Sequence, residues 1–279
     1  MNITELEKTA SQVRRDIVRM VHACQSGHPG GSLGCADLLV ALYFNAMKHD
    51  TSFKMEGANE DLFFLSNGHI SPVFYSVLSR RGYFPVEEMK TFRKLNSRLQ
   101  GHPTTHEHLP GIRMSAGSLG QGLSVGIGAA LSKKLKKENN LVYVLMGDGE
   151  QDEGQIWEAL QFAPHHKVDN LIAVVDVNGQ QIDGPTEKVM NNRSLEDKYK
   201  AFGWQVLNMK GNNMADVVKV LAEAKAATGK GVPIAIMMQT EMGAGVDFMM
   251  GSHKWHGVAP NDEQLATALA QLPETLGDY

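Results

Sequence analysis

A chain of 279 residues with 42% hydrophobic content and a formal net charge of -4 is long enough to bury a sizeable core, in one large domain or two small ones. Charges of both signs are spread along it, which argues against a nucleic-acid or anionic-membrane partner, and no apolar run reaches the roughly 20 residues of a membrane span. Cys24 and Cys35 stand at no metal-ligand spacing and MNITELEKTA is not a signal peptide, so the sequence reads as a soluble cytoplasmic protein with two structural thiols.

Residues 2–26 predict an amphipathic helix. Ile3, Leu6, Ala10, Val13, Ile17, Val21 and Cys24 recur three or four apart, Asn2 with Glu5 makes a capping box, and Gly27 is expected to end the helix. Ser26-Gly27-His28-Pro29-Gly30-Gly31 then reads as a loop, and a second helix is predicted over about 36–47. Leu62–Leu65 predicts a short strand that stops at Ser66-Asn67-Gly68-His69. A helix pair over about 72–81 and 86–95 leads to Gly101-His102-Pro103. One Gly-His pair in a loop means little, but three in the first half suggest imidazoles converging on one pocket. His22, His49, His106 and His108 carry no motif, and His165 and His166 read as surface residues.

Ser115 to Gly122 leads into a helix in which Gly122, Gly126 and Ala130 step by four. Glycine in a helix costs about 1 kcal/mol relative to alanine, so this small-residue stripe implies close packing, either inside the core or at a subunit interface. Lys133, Lys134, Lys136 and Lys137 read as a solvated last turn favoured by the helix dipole.

The next stretch organises the chain. Val142 to Gly184 gives an apolar run, Gly147-Asp148-Gly149, an acidic turn, a helix, a second apolar run, and Asp176-Val177-Asn178. Two buried strands around one helix form a right-handed βαβ unit, and ligands sit where such strands end. Asp148 and Asn178 therefore arrive at neighbouring carboxyl ends. A carboxylate and an amide oxygen suit Mg²⁺ or Ca²⁺ bound together with a phosphate. Gly147 and Gly149 let the backbone approach that phosphate, at the start of a helix with unpaired N–H groups. A helix over about 194–202, a strand 204–208, a helix 214–227 and a strand 233–239 follow. The alternation predicts a doubly wound, mainly parallel α/β sheet flanked by helices. A Gly- and Met-rich loop, 242–257, and a helix capped at Asn261 complete the chain.

Gly147-Asp148-Gly149 followed, after a helix and a strand, by Asn178 resembles the thiamine diphosphate fingerprint. SGHPGGSLG at 26–34, LSNGH at 65–69, GHP at 101–103, GSLGQG at 117–122 and GSHKWHG at 251–257 resemble the transketolase branch of it, over nearly the whole chain. The resemblance implies thiamine diphosphate with Mg²⁺ or Ca²⁺, the metal held by Asp148, Asn178 and the backbone carbonyl of Gln180. It implies that His69, His253 and the backbone of Gly149 contact the diphosphate, that Gly117 and Leu119 line the aminopyrimidine side, and that Ile182 packs near the thiazolium. His28, His102 and His253 would face the reacting carbon chain and exchange protons near neutral pH. Glu153 stands where the family has an acid coupled to the activating glutamate of the pyrimidine-binding domain; the alternative is a helix-start carboxylate favoured by the dipole.

The resemblance covers only the diphosphate-binding half of a transketolase. It implies one domain over residues 1–279, with the pyrimidine-binding and C-terminal domains carried by a separate C-terminal subunit. It also implies a heterotetrameric α2β2 assembly that transfers a two-carbon ketol unit from a ketose to an aldose. Ser118 replaces the usual proline of GPLGQG, and Pro164 interrupts an AGHHK-like stretch; both change local backbone rather than chemistry. The competing expectations are another thiamine-dependent enzyme, deoxyxylulose-phosphate synthase-like or 2-oxoacid decarboxylating, and a non-catalytic cofactor-binding regulatory subunit. No G-x-G-x-x-G opens a helix in the context a dinucleotide site requires.

Overall fold

Short aliphatic runs with few polar interruptions can only be strands buried on both faces. In the computed structural model, which describes residues 1–279, such runs form β1 (Leu62–Leu65), β2 (Val142–Gly147) and β3 (Leu171–Val177), followed by a two-residue pair, β4 (Gln180–Gln181) and β5 (Gly184–Pro185), the more exposed β6 (Gln205–Lys210), and the buried β7 (Ile234–Gln239). The five longer strands form one parallel sheet in the order β1-β2-β3-β7-β6, and β4 pairs antiparallel with β5.

Alternate strand residues serve two cores. Phe63, Tyr143, Val174 and Ile236 face the larger one, made with α1 (Ile3–Cys24), α2 (Pro29–Gly34), α3 (Ala36–Ala41), α4 (Ser71–Arg81) and α9 (Met214–Ala227). Phe64, Val144, Ala173 and Met237 face the other, made with α5 (Gln121–Leu135), α6 (Gly154–His165) and α8 (Leu195–Ala201). Fully burying each Leu, Val, Ile or Phe contributes about 1.5–3 kcal/mol, so both faces need their helices. Between β5 and α8 lies the single turn α7 (Thr186–Val189), and α10 (Asp262–Gln271) packs on α1.

The capping boxes predicted at Asn2 and Asn261 are both formed. The small-residue stripe of α5 faces inward: a side chain at Gly126 would run into Val144, and Ala130 is fully buried. Four local expectations are corrected. α1 ends on Gln25, which itself adopts the left-handed conformation, rather than on Gly27. Ser26 to Gly31 is not all loop: Pro29 sits at the first turn of α2, whose six residues are all buried. Residues 86–95 form only a 3₁₀ turn, Val86–Thr91, because Phe92 is not helical and Arg93 is left-handed, its N–H donating to the Leu99 carbonyl at 2.9 Å. Lys133 is not solvated; it is 3% exposed and donates to the Gly57 carbonyl at 2.9 Å and to Glu138 at 2.7 Å.

Candidate functional site

Parallel strands place their carboxyl ends on one edge, and there β1, β2, β3 and β7 deliver Ser66–His69, Gly147–Gly149, Asp176–Asn178 and Thr240–Met242. Asp148 is buried. Its two oxygens accept from the backbone N–H groups of Gly149 at 2.8 Å and Gly179 at 2.7 Å. Burial, followed by repulsion from the buried Asp176 carboxylate, pushes the Asp148 carboxyl up to about 7. Burial also raises Asp176, against the opposing hydrogen bonds it accepts from the Thr240 hydroxyl and from the Asn178 amide. The Asn178 amide is thereby turned so that its oxygen faces the Gln180 N–H, at 2.9 Å.

The opposite wall is built from imidazoles. α2 is drawn against the 242–257 loop: the Gly243 N–H donates to the Gly30 carbonyl at 2.9 Å, and a Cβ on Gly30 would lie 2.6 Å from Met242 and 2.8 Å from the Trp255 carbonyl. Only glycine permits that approach. It brings His28 to 5.1 Å from His69, 5.5 Å from His256 and 6.3 Å from His102, ring centre to ring centre, with His69 and His256 at 5.0 Å. Burial lowers all four basicities. His28 falls to about 4, with His256, Arg93 and His102 adding to the effect, and His69 is held well below the usual range.

An open cleft separates the two walls. It brings together His28, His69, Gly117, Leu119, Gly147, Gly149, Asn178 and Ile182, with His256 and Asn67 beside them. Asp148 lies under its floor, hydrogen-bonded to Gly149 and Gly179, and His102 stands at the rim, its ring packed against Gly117. Glu153 is exposed, its Cβ against Gly120. Neither Glu153 nor His253 lines the cleft. His253 stands outside it. It lines an adjoining hollow with Lys254 and Val258, which shares Ile182 and His256 with the cleft; the 3₁₀ turn His253–Trp255 leaves His256 lining both and His253 only the hollow. Gln180 carries its side-chain oxygen buried and without a partner.

Residues 6–274 match the family described as "Transketolase, thiamine diphosphate binding domain". The chain belongs to the transketolase family. It is 38% identical over 276 residues to an apulose-4-phosphate transketolase subunit of Phocaeicola vulgatus, covering 99% of this chain and 96% of that one. It is 38% identical over 268 residues to the 6-deoxy-6-sulfo-D-fructose transketolase subunit of a Clostridium species, covering 96% of each. The transketolase of Campylobacter jejuni superimposes with a TM-score of 0.90 at 33% identity, covering 98% of this chain and 43% of that one. Human transketolase is 33% identical over 269 residues, 95% of this chain and 41% of its own length. The chain thus spans nearly all of the subunit relatives and about two-fifths of the single-chain transketolases.

Thiamine diphosphate and a divalent cation fit the donor chemistry of this transketolase cleft. Asp148 and Asp176 form a buried carboxylate pair, and the hydrogen bonds they accept come from uncharged groups, a setting that favours a hard cation with oxygen ligands. His28 and His256 each bury an Nδ1 without a partner, and Asn67 buries an unpartnered Oδ1. Three residues of the site are given no role by the sequence. Glu150 and Asp176 lie inside the motif but carry no spacing signal of their own. His256 differs from His253 only by a three-residue offset within a turn, the one signal that separates them.

Proposed function

We propose that this chain is the diphosphate-binding subunit of a two-subunit transketolase, moving a two-carbon ketol unit from a ketose to an aldose once a partner subunit supplies the pyrimidine-binding half in an α2β2 assembly. The observation that supports this best is the cleft itself, with a buried oxygen-donor floor on one side and the imidazoles of His28, His69 and His256 on the other. The Phocaeicola and Clostridium relatives are themselves named as transketolase subunits, and their named substrates are a sugar phosphate and a sulfosugar.

In this reading Asp148, Asn178 and the backbone carbonyl of Gln180 hold Mg²⁺ or Ca²⁺, while His69 and the backbone at Gly147 and Gly149 hold the diphosphate. Gly117 and Leu119 border the aminopyrimidine, and Ile182, 61% exposed at the mouth, covers the thiazolium. Thiamine diphosphate, when bound, supplies the nucleophilic carbon and the electron sink for breaking a bond beside a carbonyl. His28, His102 and His256 act on the sugar oxygens: each neutral ring, His28 and His256 within the cleft and His102 more exposed beside it, has one nitrogen to accept a proton and one N–H to donate. His256 takes the place that the sequence assigns to His253 because it is the one inside the cleft. Glu153, exposed beside Gly120, is free to meet an acid of the partner. No helix is long and apolar enough to cross a membrane, and the two free thiols, Cys24 and Cys35, suit the cytoplasm.

Calorimetric titration of thiamine diphosphate with Mg²⁺ into the chain, alone and with its candidate partner, tests this reading. Tight metal-dependent binding in the mixture, with turnover of a ketose donor and not of pyruvate, is the expected result. Turnover of pyruvate instead would replace it with a decarboxylating enzyme, and absence of binding in both titrations would end the thiamine reading.

A further inference from the structure

Outside the groups assigned above, one buried ionic side chain joins three separate segments of the cleft. Glu150 is 2% exposed. Its Oε1 accepts from the Ser66 hydroxyl, at the end of β1, and from the Gly120 N–H at 2.8 Å, in the turn before α5. Its Oε2 accepts from the Gly147 N–H at 3.0 Å, at the end of β2. Ser66 extends the network, its Oγ accepting from the Gly122 N–H at 3.0 Å. A Cβ on Gly122 would stand 2.4 Å from that serine, so the first turn of α5 lies directly against the strand end.

Each of these segments carries a wall of the cleft within three residues of its contact with Glu150. Ser66 precedes His69, Gly120 follows Gly117 and Leu119, and Gly147 precedes Asp148 and Gly149. Without the carboxylate, nothing else in this network links β2 to the turn before α5 through side-chain bonds. A glutamine of the same size has a single acceptor oxygen for three donors held on two sides. Whichever way it turns, its NH₂ faces at least one N–H or O–H, and a buried donor left opposite another donor loses its hydrogen bond outright.

We infer that Glu150 is a positioning residue of the cofactor site, fixing the spacing between the diphosphate side at Gly147–Gly149, the aminopyrimidine side at Gly117–Leu119 and His69. The inference rests on the thiamine diphosphate reading given above. It assigns Glu150 no contact with cofactor or substrate; it acts through the three segments it ties.

The test is calorimetric affinity for thiamine diphosphate with Mg²⁺, measured on the assembled protein beside its melting temperature. Glu150→Gln is expected to weaken binding by about tenfold or more, the usual cost of losing an outer partner of a site. Ser66→Ala is expected to weaken it less, and the double variant to fall short of the product of the two, since both cut one network. Lys133→Ala, which removes a buried lysine at the far end of α5, is expected to lower the melting temperature and leave affinity unchanged, separating positioning from general destabilisation. A folded Glu150→Gln protein that binds within about threefold of the parent overturns the inference. If Glu150→Gln does not fold, Ser66→Ala decides alone, and unchanged affinity there overturns it. Failure of the parent itself to bind would bring down the functional reading and this inference together, whereas a parent that binds and variants that bind equally well remove only the inference.

Discussion

The two walls of the cleft respond to the same burial in opposite directions. At the ends of β2 and β3 it pushes the carboxyls of Asp148 and Asp176 up; across the gap it pushes the imidazoles of His28, His69, His102 and His256 down. Low polarity disfavours the charged form of either kind of group. The walls differ in how they are held. Asp148 is fixed by two backbone N–H groups and Asn178 by Asp176, so the oxygen-donor side is a rigid holder. The imidazole side rests on ring contacts and leaves the Nδ1 atoms of His28 and His256 unpartnered, so its hydrogen bonds are left for a ligand to complete. One wall suits binding a fixed charge; the other suits moving protons.

The largest expected effect sharpens the imidazole side. In the assembled enzyme, His256→Ala should lower kcat by about 10²- to 10⁴-fold, the range of a lost acid–base group, while His253→Ala should change it little. Steady-state rates with a ketose donor check this, and equal losses in the two variants would break the assignment of the proton-handling role to the inner histidine. On the opposite wall, Asp148→Asn should weaken Mg²⁺-dependent binding of thiamine diphosphate by about 100-fold, at or beyond the upper end for an outer partner. Calorimetry reads this directly, and undiminished affinity would mean that the cation is held elsewhere.

A smaller effect separates the walls without any ligand. His28 has its basicity lowered from 6.5 to about 4, with His69, His102, His256 and Arg93 the ionisable groups facing it. Between these values the unfolded chain binds a proton that the folded chain refuses. Stability contributed by neutral His28 is therefore present above about pH 6.5 and is lost as pH falls towards 4, at up to about 1.4 kcal/mol per pH unit. Chemical denaturation of the cofactor-free chain should show this slope, and His28→Gln should make it shallower. The difference between parent and variant isolates this imidazole from the other titrations. Identical pH profiles would show that the ring is not desolvated in the folded chain.

The asymmetry between walls also explains what can be read from residues alone. β1 is legible to the residue because Leu62–Leu65 is an apolar run stopped by Ser66-Asn67-Gly68, and α9 forms over the same residues, 214–227, as the helix the sequence predicts. The oxygen-donor wall is legible because Asp148 and Asn178 end consecutive parallel strands, so sequence spacing fixes their distance in space. The imidazole wall draws on four segments whose approach depends on tertiary packing, such as α2 meeting the 242–257 loop at Gly30. Spacing does not say which histidine of a turn lines the cleft, and there the fold places His256, the residue to which the proposed role is given. Glu150 is silent for the same reason: its partners Ser66 and Gly120 lie 84 and 30 residues away. The helix that starts at Pro29 and the early stop after Val86–Thr91 turn on single backbone conformations, at His28 and Arg93, that composition does not specify.

The smallest expected effect falls on the rigid wall and depends on which atom of a residue matters. Gln180 is assigned to the cation through its backbone carbonyl, and its N–H donates to the Asn178 oxygen at 2.9 Å. Its side-chain oxygen is buried without a partner, so truncation removes no acceptor that is in use. Gln180→Ala should therefore shift stability by less than about 1 kcal/mol, as for substitutions that break no named interaction, and leave Mg²⁺-dependent affinity near that of the parent. Asp148→Asn, in contrast, alters the donor atom itself. If Gln180→Ala weakened binding as strongly as Asp148→Asn, the side-chain amide would be the ligand, and the wall would have to re-form around the cation rather than stand ready for it.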